Sequence, residues 1–91
     1  MFTEWDDDKA QSNLIKHGVS FEEAATVFED PVAITFNDQE HSETEERFVT
    51  IGYSAQLRAL LVINTEREDN IRIISARKTT PSERELYDQQ L

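Results

Sequence analysis

The chain has 91 residues, a formal net charge of −10 and no cysteine, and 37% of its residues are hydrophobic. This length predicts a single domain over residues 1–91 with one modest core. The lack of cysteine excludes disulfides and thiolate metal sites. The N-terminus MFTEWDDDKA has no apolar signal core, and the longest apolar run, 59–63, is too short to span a bilayer. The sequence therefore predicts a cytoplasmic protein.

The charge is divided unevenly along the chain. Residues 1–46 hold thirteen acidic residues and two lysines, a net −11, whereas residues 47–91 hold six acidic and seven basic residues, a net +1. A solvated acidic face is the simplest interpretation. The alternative is an acidic surface for a basic protein partner, which would include Glu43, Glu45 and Glu46, and a separate basic surface for an anion.

The N-terminal part of the chain predicts a short strand, MFTEW, followed by a helix. Asp6 is a suitable N-cap for this helix, and Asp7 and Asp8 suit the positive end of its dipole. We expect the helix to run to about Lys16, because Gly18 can adopt the left-handed conformation that ends a helix.

A second helix is predicted over residues 20–29. Ser20 and Glu23 have the spacing of a capping box, and the residue before Pro31 disfavours the helical conformation. Four apolar side chains recur at helical spacing and are expected to face the core. They are Phe21, Ala24, Ala25 and Phe28.

Four strands are predicted next, and the short turns between the later ones favour an antiparallel arrangement. They cover residues 32–36, 46–54, 58–67 and 70–77. If EDN forms a three-residue hairpin loop with Asn70 in the left-handed conformation, Arg67 lies opposite Ile71. Arg72 then lies opposite Glu66, and an ion pair across the strands is the simplest interpretation of that position.

Thr80, Pro81 and Glu83 predict the start of a final helix, as N-cap, first helical residue and capping-box acid. We expect Leu86 and Tyr87 on the inner side of this helix. The element order β-α-α-β-β-β-β-α predicts an α+β fold, in which an antiparallel meander carries two N-terminal helices and one C-terminal helix. This order excludes the βαβ pattern of a dinucleotide-binding domain.

Three stretches, KHGVSFEEA, HSETEERFVTIGYS and RIISARK, resemble the BrnT family of bacterial toxins, and the similarity covers nearly the whole chain. The resemblance implies a RelE-like fold and a metal-independent ribonuclease that needs no cofactor and inhibits translation. It also implies a hetero-oligomer with a protein antitoxin of the BrnA type. RNA would then be the substrate, operator DNA would be contacted only through the antitoxin, and no membrane would be involved.

Metal-free RNA cleavage uses the 2′-hydroxyl to attack the adjacent phosphate. It requires a base, an acid and cations or donors for the charge that builds on the phosphate. The sequence offers no obvious metal-binding carboxylate cluster and no glycine-rich phosphate loop. The candidate catalytic residues are Arg77, His17, Arg67 and Tyr87, and the candidate RNA-binding residues are Lys9, Lys16, Lys78 and Arg84.

Most of these candidates have a structural alternative. RelE-like toxins typically use an arginine on the last strand and an aromatic residue on the final helix; Arg77 and Tyr87 match those positions, although Tyr87 could equally pack in the core. His17 suits acid–base chemistry near neutral pH, but a histidine in the last turn of a helix also stabilises the helix dipole. Lys9 and Lys16 share a helix face that suits either RNA or surface ion pairs.

The net charge of −10 would repel free RNA at long range. Cleavage of messenger held by the ribosome relaxes this difficulty, because the ribosome positions the substrate. A second hypothesis is a catalytically weak module that mainly binds the antitoxin. A third is a nucleic-acid mimic that binds a basic protein through its acid-rich loop.

Overall fold

The computed structural model describes residues 2–40 and 45–90 of the chain. The elements in chain order are β1 (Thr3–Glu4), α1 (Asp7–His17), α2 (Phe21–Thr26), a 3-10 turn (Val27–Glu29), β2 (Ile34–Asn37), β3 (Phe48–Tyr53), β4 (Ala59–Arg67), β5 (Asn70–Lys78) and α3 (Pro81–Asp88). This order confirms the predicted α+β fold. The prediction for Glu43 lies outside the described residues. No helix in the described ranges has the length and apolar character needed to cross a membrane.

The strands form one sheet in the order β1-β5-β4-β3-β2. The four strands of the predicted meander, β2 to β5, are antiparallel as expected. The short N-terminal strand differs, because β1 pairs parallel with β5 and places Thr3 opposite Ile71 and Glu4 opposite Arg72. The sheet is therefore mixed, and the N-terminal segment covers the first part of the edge of β5.

The helix ends follow the predicted capping chemistry. The Asp6 carboxylate accepts a backbone N–H of the first turn of α1 at 2.8 Å, and Gly18 ends that helix with a φ of 69°. The Ser20 hydroxyl caps α2. At α3, Thr80 and Glu83 form a reciprocal capping box, in which each side chain accepts the backbone N–H of the other residue. Local sequence therefore determines where all three helices begin.

The β4–β5 hairpin differs from the prediction at its turn. Glu68 and Asp69 have φ values of 49° and 71° and form a two-residue turn, so Arg67 lies opposite Asn70. Successive left-handed residues match the twist of the flanking strands, which favours the shorter turn. Further along, the register shifts by one at Ile74, and this bulge restores the predicted pairing toward the far end of β5.

The changed register also moves an ion pair. Arg72 lies opposite Thr65 instead of the predicted Glu66. Its guanidinium binds the Glu4 carboxylate of β1 at 3.2 Å. The prediction of a cross-strand pair with Glu66 was wrong, because the short turn shifts the strands by one residue and β1 supplies a different acid.

The larger core cluster lies where α1 and α2 cover one face of the sheet. It contains Val19, Phe21, Ala24, Val27, Leu60, Val62, Ile73 and Ala76. Of the predicted apolar stripe, Phe21 and Ala24 are fully buried, whereas Ala25 and Phe28 pack at the margin. The helix is shorter than predicted, because α2 ends at Thr26 and the chain continues as a 3-10 turn.

A smaller cluster lies on the opposite face, beneath α3. It contains Val49, Ile51, Leu61 and Tyr87. Tyr87 faces this cluster as predicted, but Leu86 is 44% exposed, so the prediction that Leu86 faces inward was wrong. Adjacent residues of a helix point about 100° apart, and a helix of two turns buries only a narrow stripe.

A buried ion pair joins the helical layer to the turn between β3 and β4. Arg58 donates from Nε to Glu23 at 2.9 Å and contacts the other carboxylate oxygen through Nη2. The Ser54 hydroxyl donates to the same carboxylate at 2.7 Å. The Glu23 side chain is only 2% exposed. Its hydrogen bond from Arg58 holds the pKa of Glu23 below the ordinary value, although burial acts in the opposite direction.

We expect Arg58→Ala to lower the free energy of unfolding by about 3 kcal/mol at pH 7, because it leaves the Glu23 carboxylate buried without its cation. The pKa of Glu23 is lower in the folded than in the unfolded chain, so the ionised pair stabilises the fold above the unfolded pKa. That contribution is lost as the pH falls through the lowered pKa of Glu23, and the two proteins should converge at pH values below it. Urea unfolding across this pH range measures the effect.

The control for this experiment is Arg67→Ala. Arg67 pairs with Glu45 at 3.3 Å, and its side chain is 52% exposed. Removal of such an exposed pair should cost less than about 1 kcal/mol. Equal losses for Arg58→Ala and Arg67→Ala would contradict the role given to the buried pair.

Candidate functional site

The predicted site residues separate into groups on the two sides of the sheet. Lys9, Lys16 and His17 lie on α1 and line one cleft beside β5. Arg77 lies opposite Leu61 of the smaller cluster, on the face that α3 covers. The structure therefore brings three of the eight candidates together and places the others elsewhere.

The cleft between α1 and β5 has a volume of about 310 Å³. Its lining residues are Asp8, Lys9, Ser12, Asn13, Lys16, His17, Ile74 and Ser75. Lys9 and Lys16 are both exposed and His17 is half-buried. Across residues 2–40 and 45–90, neither lysine has a carboxylate within ion-pair distance. The cleft therefore presents two available ammonium groups and an imidazole to whatever binds there.

Asn13 fixes the wall of this cleft. Its buried amide donates to Ala76 O at 2.8 Å and to Val19 O at 3.0 Å, and its oxygen accepts from Ala76 N at 3.1 Å. The two bonds to Ala76 take the place of a neighbouring strand, so α1 protects the edge of β5 beyond the residues that β1 covers. Sequence reasoning missed Asn13. The available signal was an asparagine, a poor helix former, in the middle of a helix.

Arg77 is held by α3. Its Nη1 and Nη2 atoms donate to the two oxygens of Glu83 at 2.7 and 2.8 Å. Arg77 stabilises the carboxylate and lowers the pKa of Glu83 to about 2. Glu83 also accepts the Thr80 N–H at 2.8 Å. Arg77 therefore joins the beginning of α3 to β5. Its Nη1 and Nη2 atoms are both already engaged in hydrogen bonds to Glu83.

Tyr87 is buried rather than presented to a cleft. It is 5% exposed, and its hydroxyl donates to Asp30 at 2.7 Å. Burial raises the pKa of Tyr87 to about 12. Asp30 also accepts the Tyr53 N–H at 2.9 Å. These contacts favour the core-packing interpretation of Tyr87, because its side chain is almost fully buried and its hydroxyl is hydrogen-bonded within the fold.

The remaining candidates lie apart from the cleft on α1. Arg67 is at the far end of β4, where it pairs with Glu45. Arg84 lies over the Tyr53 ring, with 5.6 Å between Cζ and the ring centroid. Lys78 is exposed at the end of β5. Among the described residues neither Lys78 nor Arg84 forms an ion pair.

In the part of the chain that the structure describes, no three His, Asp or Glu side chains converge closely enough to hold a metal ion. The chemistry that the cleft itself offers is that of two ammonium groups, an imidazole, hydroxyl groups and the Asp8 carboxylate. This combination suits an anion whose charge changes during a reaction, such as a phosphodiester.

Comparison with known proteins decides the family. The family model of BrnT, the ribonuclease toxin of type II toxin–antitoxin systems, matches residues 5–83. The chain belongs to the BrnT family. This confirms the resemblance that the three stretches indicated, and membership of a type II system implies a protein antitoxin as partner.

A solved structure supports the fold of this BrnT-family chain. The 1.1 Å crystal structure of the Brucella abortus ribonuclease toxin BrnT superposes with a TM-score of 0.67. The two sequences are 24% identical, and the match covers 88% of this chain and 99% of the other. At this identity the likeness establishes the fold alone. No curated protein matches the chain.

We expect Arg77→Ala and Glu83→Gln each to destabilise the fold, and the double variant to cost less than the sum, because both remove one interaction. The pKa of Glu83 is lowered to about 2, so the pair stabilises the fold above the ordinary glutamate pKa. Its contribution is lost as the pH falls toward 2. Thermal unfolding of all four proteins at pH 7 and pH 3 measures this coupling.

Arg84→Ala is the control, because the described structure gives Arg84 no carboxylate partner. Its effect on stability should be the same at the two pH values. Additive losses for Arg77→Ala and Glu83→Gln would show that Arg77 is not primarily the anchor of α3.

Proposed function

We propose that this BrnT-family chain is a metal-independent endoribonuclease whose active site is the cleft between α1 and β5. The observation that carries the proposal is that Lys9, Lys16 and His17 line one open cleft. Membership of a ribonuclease toxin family supplies the reaction class. The cleft contains a candidate base, His17, and two candidate phosphate-binding cations, Lys9 and Lys16. These are residue types that RNA cleavage needs when no metal ion takes part.

The proposed reaction is attack by the 2′-hydroxyl on the adjacent phosphorus. His17 accepts the hydroxyl proton as the bond from O2′ to phosphorus forms. The bond from phosphorus to O5′ breaks, and water or a protonated side chain supplies a proton to the departing oxygen. Lys9 and Lys16 contact the phosphate oxygens, on which negative charge increases in the transition state. The products are a 2′,3′-cyclic phosphate and a free 5′-hydroxyl.

The other basic candidates take supporting roles in this proposal. Lys78 follows Ser75 by three residues on β5, about 10 Å along the strand, and can contact RNA that leaves the cleft. Arg84 offers a further exposed cation, although it lies on the side of the sheet that α3 covers. Arg77 positions α3, and Arg67 is remote and paired with Glu45, so we assign neither of them to the reacting phosphate.

The net charge of the chain affects how RNA reaches the cleft. With a net charge of −10, the chain is repelled by free RNA at long range. We propose that translation is inhibited by cleavage of ribosome-held messenger, since the ribosome brings the RNA to the toxin. The short-range attraction of Lys9 and Lys16 is then enough to seat one phosphate.

A second candidate function is a catalytically weak module that mainly binds the antitoxin. The observation in its favour is that Arg77 and Tyr87, the two residues matched by position to RelE-like roles, are engaged in contacts within the fold. In either function we propose that the antitoxin is of the BrnA type and carries the contact with operator DNA. Glu45 and Glu46 belong to the acidic surface that its basic regions would approach.

We expect the purified chain to cleave RNA in the presence of a chelator and to leave DNA of the same sequence intact, since only RNA has the 2′-hydroxyl. Lys9→Ala and Lys16→Ala should each reduce kcat/KM by about 10- to 100-fold. His17→Ala should reduce the rate, because the cleft then lacks its proposed proton acceptor. Gel assays with end-group analysis of the cyclic phosphate measure these effects.

Arg72→Ala is the control for the loss of positive charge, because Arg72 is paired with Glu4 away from the cleft. It should cleave RNA like the unmodified chain. Full activity in folded His17→Ala, or activity that disappears with chelator and returns with magnesium, would refute the mechanism. No cleavage by the unmodified chain would favour the antitoxin-binding module.

Asn13→Ala should reduce kcat/KM by about tenfold or more in molecules that remain folded, because it frees α1 to move relative to β5. Asn64→Ala is the matched control. Asn64 is a similarly buried asparagine, which accepts a hydrogen bond from Thr50 at 3.0 Å and does not line the cleft. Rates are compared at equal folded fraction, well below both unfolding temperatures. Equal loss of rate in the two variants would show that Asn13 acts on stability alone.

A further inference from the structure

The two edges of the sheet are protected differently. On β5, β1 pairs with Ile71 and Arg72, and the Asn13 amide binds both backbone groups of Ala76. At the opposite edge, β2 pairs with β3 on one side, and no described strand pairs with its outer side. An unpaired edge presents backbone N–H and C=O groups to another chain.

The hydrogen bonds identify which groups of β2 point outward. Asp38 N donates to Arg47 O at 2.8 Å, so these two residues form a hydrogen-bonded pair. Pairs alternate along antiparallel strands. With the observed register, the backbone groups of Phe36 therefore point to β3, whereas those of Thr35 and Asn37 point away from the sheet.

Apart from its shortness, β2 lacks the features that usually protect an edge strand. Its four residues, ITFN, include no charge and no proline, and its register with β3 is regular. Ile34 packs against the smaller core cluster. Phe36, two residues further along the same face, is 43% exposed. A strand added beside β2 would cover Phe36 and extend that cluster.

The charges around β2 indicate what such a strand should carry. Asp38 and Glu40 follow β2, and Glu45 and Glu46 precede β3. Glu45 is paired with the exposed Arg67, and Glu46 accepts a hydrogen bond from the Asn37 side chain at 2.8 Å, so these four acids and one arginine leave a net negative surface. A second copy of this chain would bring these acids close to their equivalents. Like charges at an interface are unfavourable, whereas a basic segment complements this surface.

We propose that the outer edge of β2 binds an extended segment of the protein antitoxin, which pairs with Thr35 and Asn37 as a sixth strand. The segment carries an apolar residue against Phe36 and lysine or arginine near the acids that flank β2. This inference deepens the antitoxin part of the proposed function and rests on it for the identity of the partner. It does not depend on where RNA is cleaved.

The first test is residue-specific hydrogen exchange of the chain, free and bound to its full-length cognate antitoxin. In the free chain the Phe36 N–H should be protected, whereas those of Thr35 and Asn37 should exchange rapidly. In the complex Thr35 and Asn37 should exchange at least about tenfold more slowly. Unchanged rapid exchange of both in a saturated complex would overturn the proposal.

The second test compares Asn37→Pro with Asn37→Ala. Both remove the side-chain bond to Glu46, but only proline removes the outward N–H, and proline is tolerated where that group faces solvent. Asn37→Pro should weaken antitoxin binding by about tenfold, and Asn37→Ala should bind within about twofold of the unmodified chain. Equal affinity of the two variants would overturn the proposal.

The outcomes separate this inference from the proposed ribonuclease. Protection of Thr35 and Asn37 by the antitoxin supports the inference even if the chain cleaves no RNA. RNA cleavage by the cleft residues with no protection at β2 refutes the inference alone. Protection that rises with the concentration of the free chain would identify a second copy as the occupant and would also overturn it.

Discussion

The hydrogen bonds between Asn13 and Ala76 determine how α1 sits on the sheet. A strand edge must be paired, solvated or covered, and here one amide side chain satisfies both backbone groups of Ala76. Lys9, Lys16 and His17 reach the cleft beside β5 because α1 is held in this position. The proposed active site thus depends on a polar contact that belongs to the fold rather than to the chemistry.

Ion pairs divide the basic residues of this acidic chain into two groups. Arg58 and Arg77 are bound to Glu23 and Glu83, where they join helices to strands. Such arginines stabilise the packing, and their charge is locally neutralised. The cleft lysines have no such partner in the described residues, so a chain with a net charge of −10 can still present a local cationic site.

The sheet separates the cleft lysines from the acidic residues around β2. The cleft with the lysines borders β5, whereas the acidic residues around β2 lie at the other edge of the sheet. This separation suits the proposed function, in which RNA binds at the cleft and a basic segment of the antitoxin binds near β2. The net charge of the chain opposes the proposed binding of RNA only at long range. The electrostatic potential inside the cleft depends instead on the charged side chains that line it.

The sequence by itself determined the α+β order and the helix starts, because capping residues and apolar periodicity act over a few residues. The resemblance of KHGVSFEEA, HSETEERFVTIGYS and RIISARK indicated the family. Asp6, Ser20 and Thr80 each cap a helix as predicted. Only the tertiary structure decided which partners the side chains have. Contacts between residues distant in sequence depend on the register of the strands and on which strand edges other elements cover. Arg77 was predicted to be a catalytic residue, and in the structure its guanidinium is bound to the Glu83 carboxylate. Asn13 was overlooked, because only the packing of α1 brings its amide to the edge of β5.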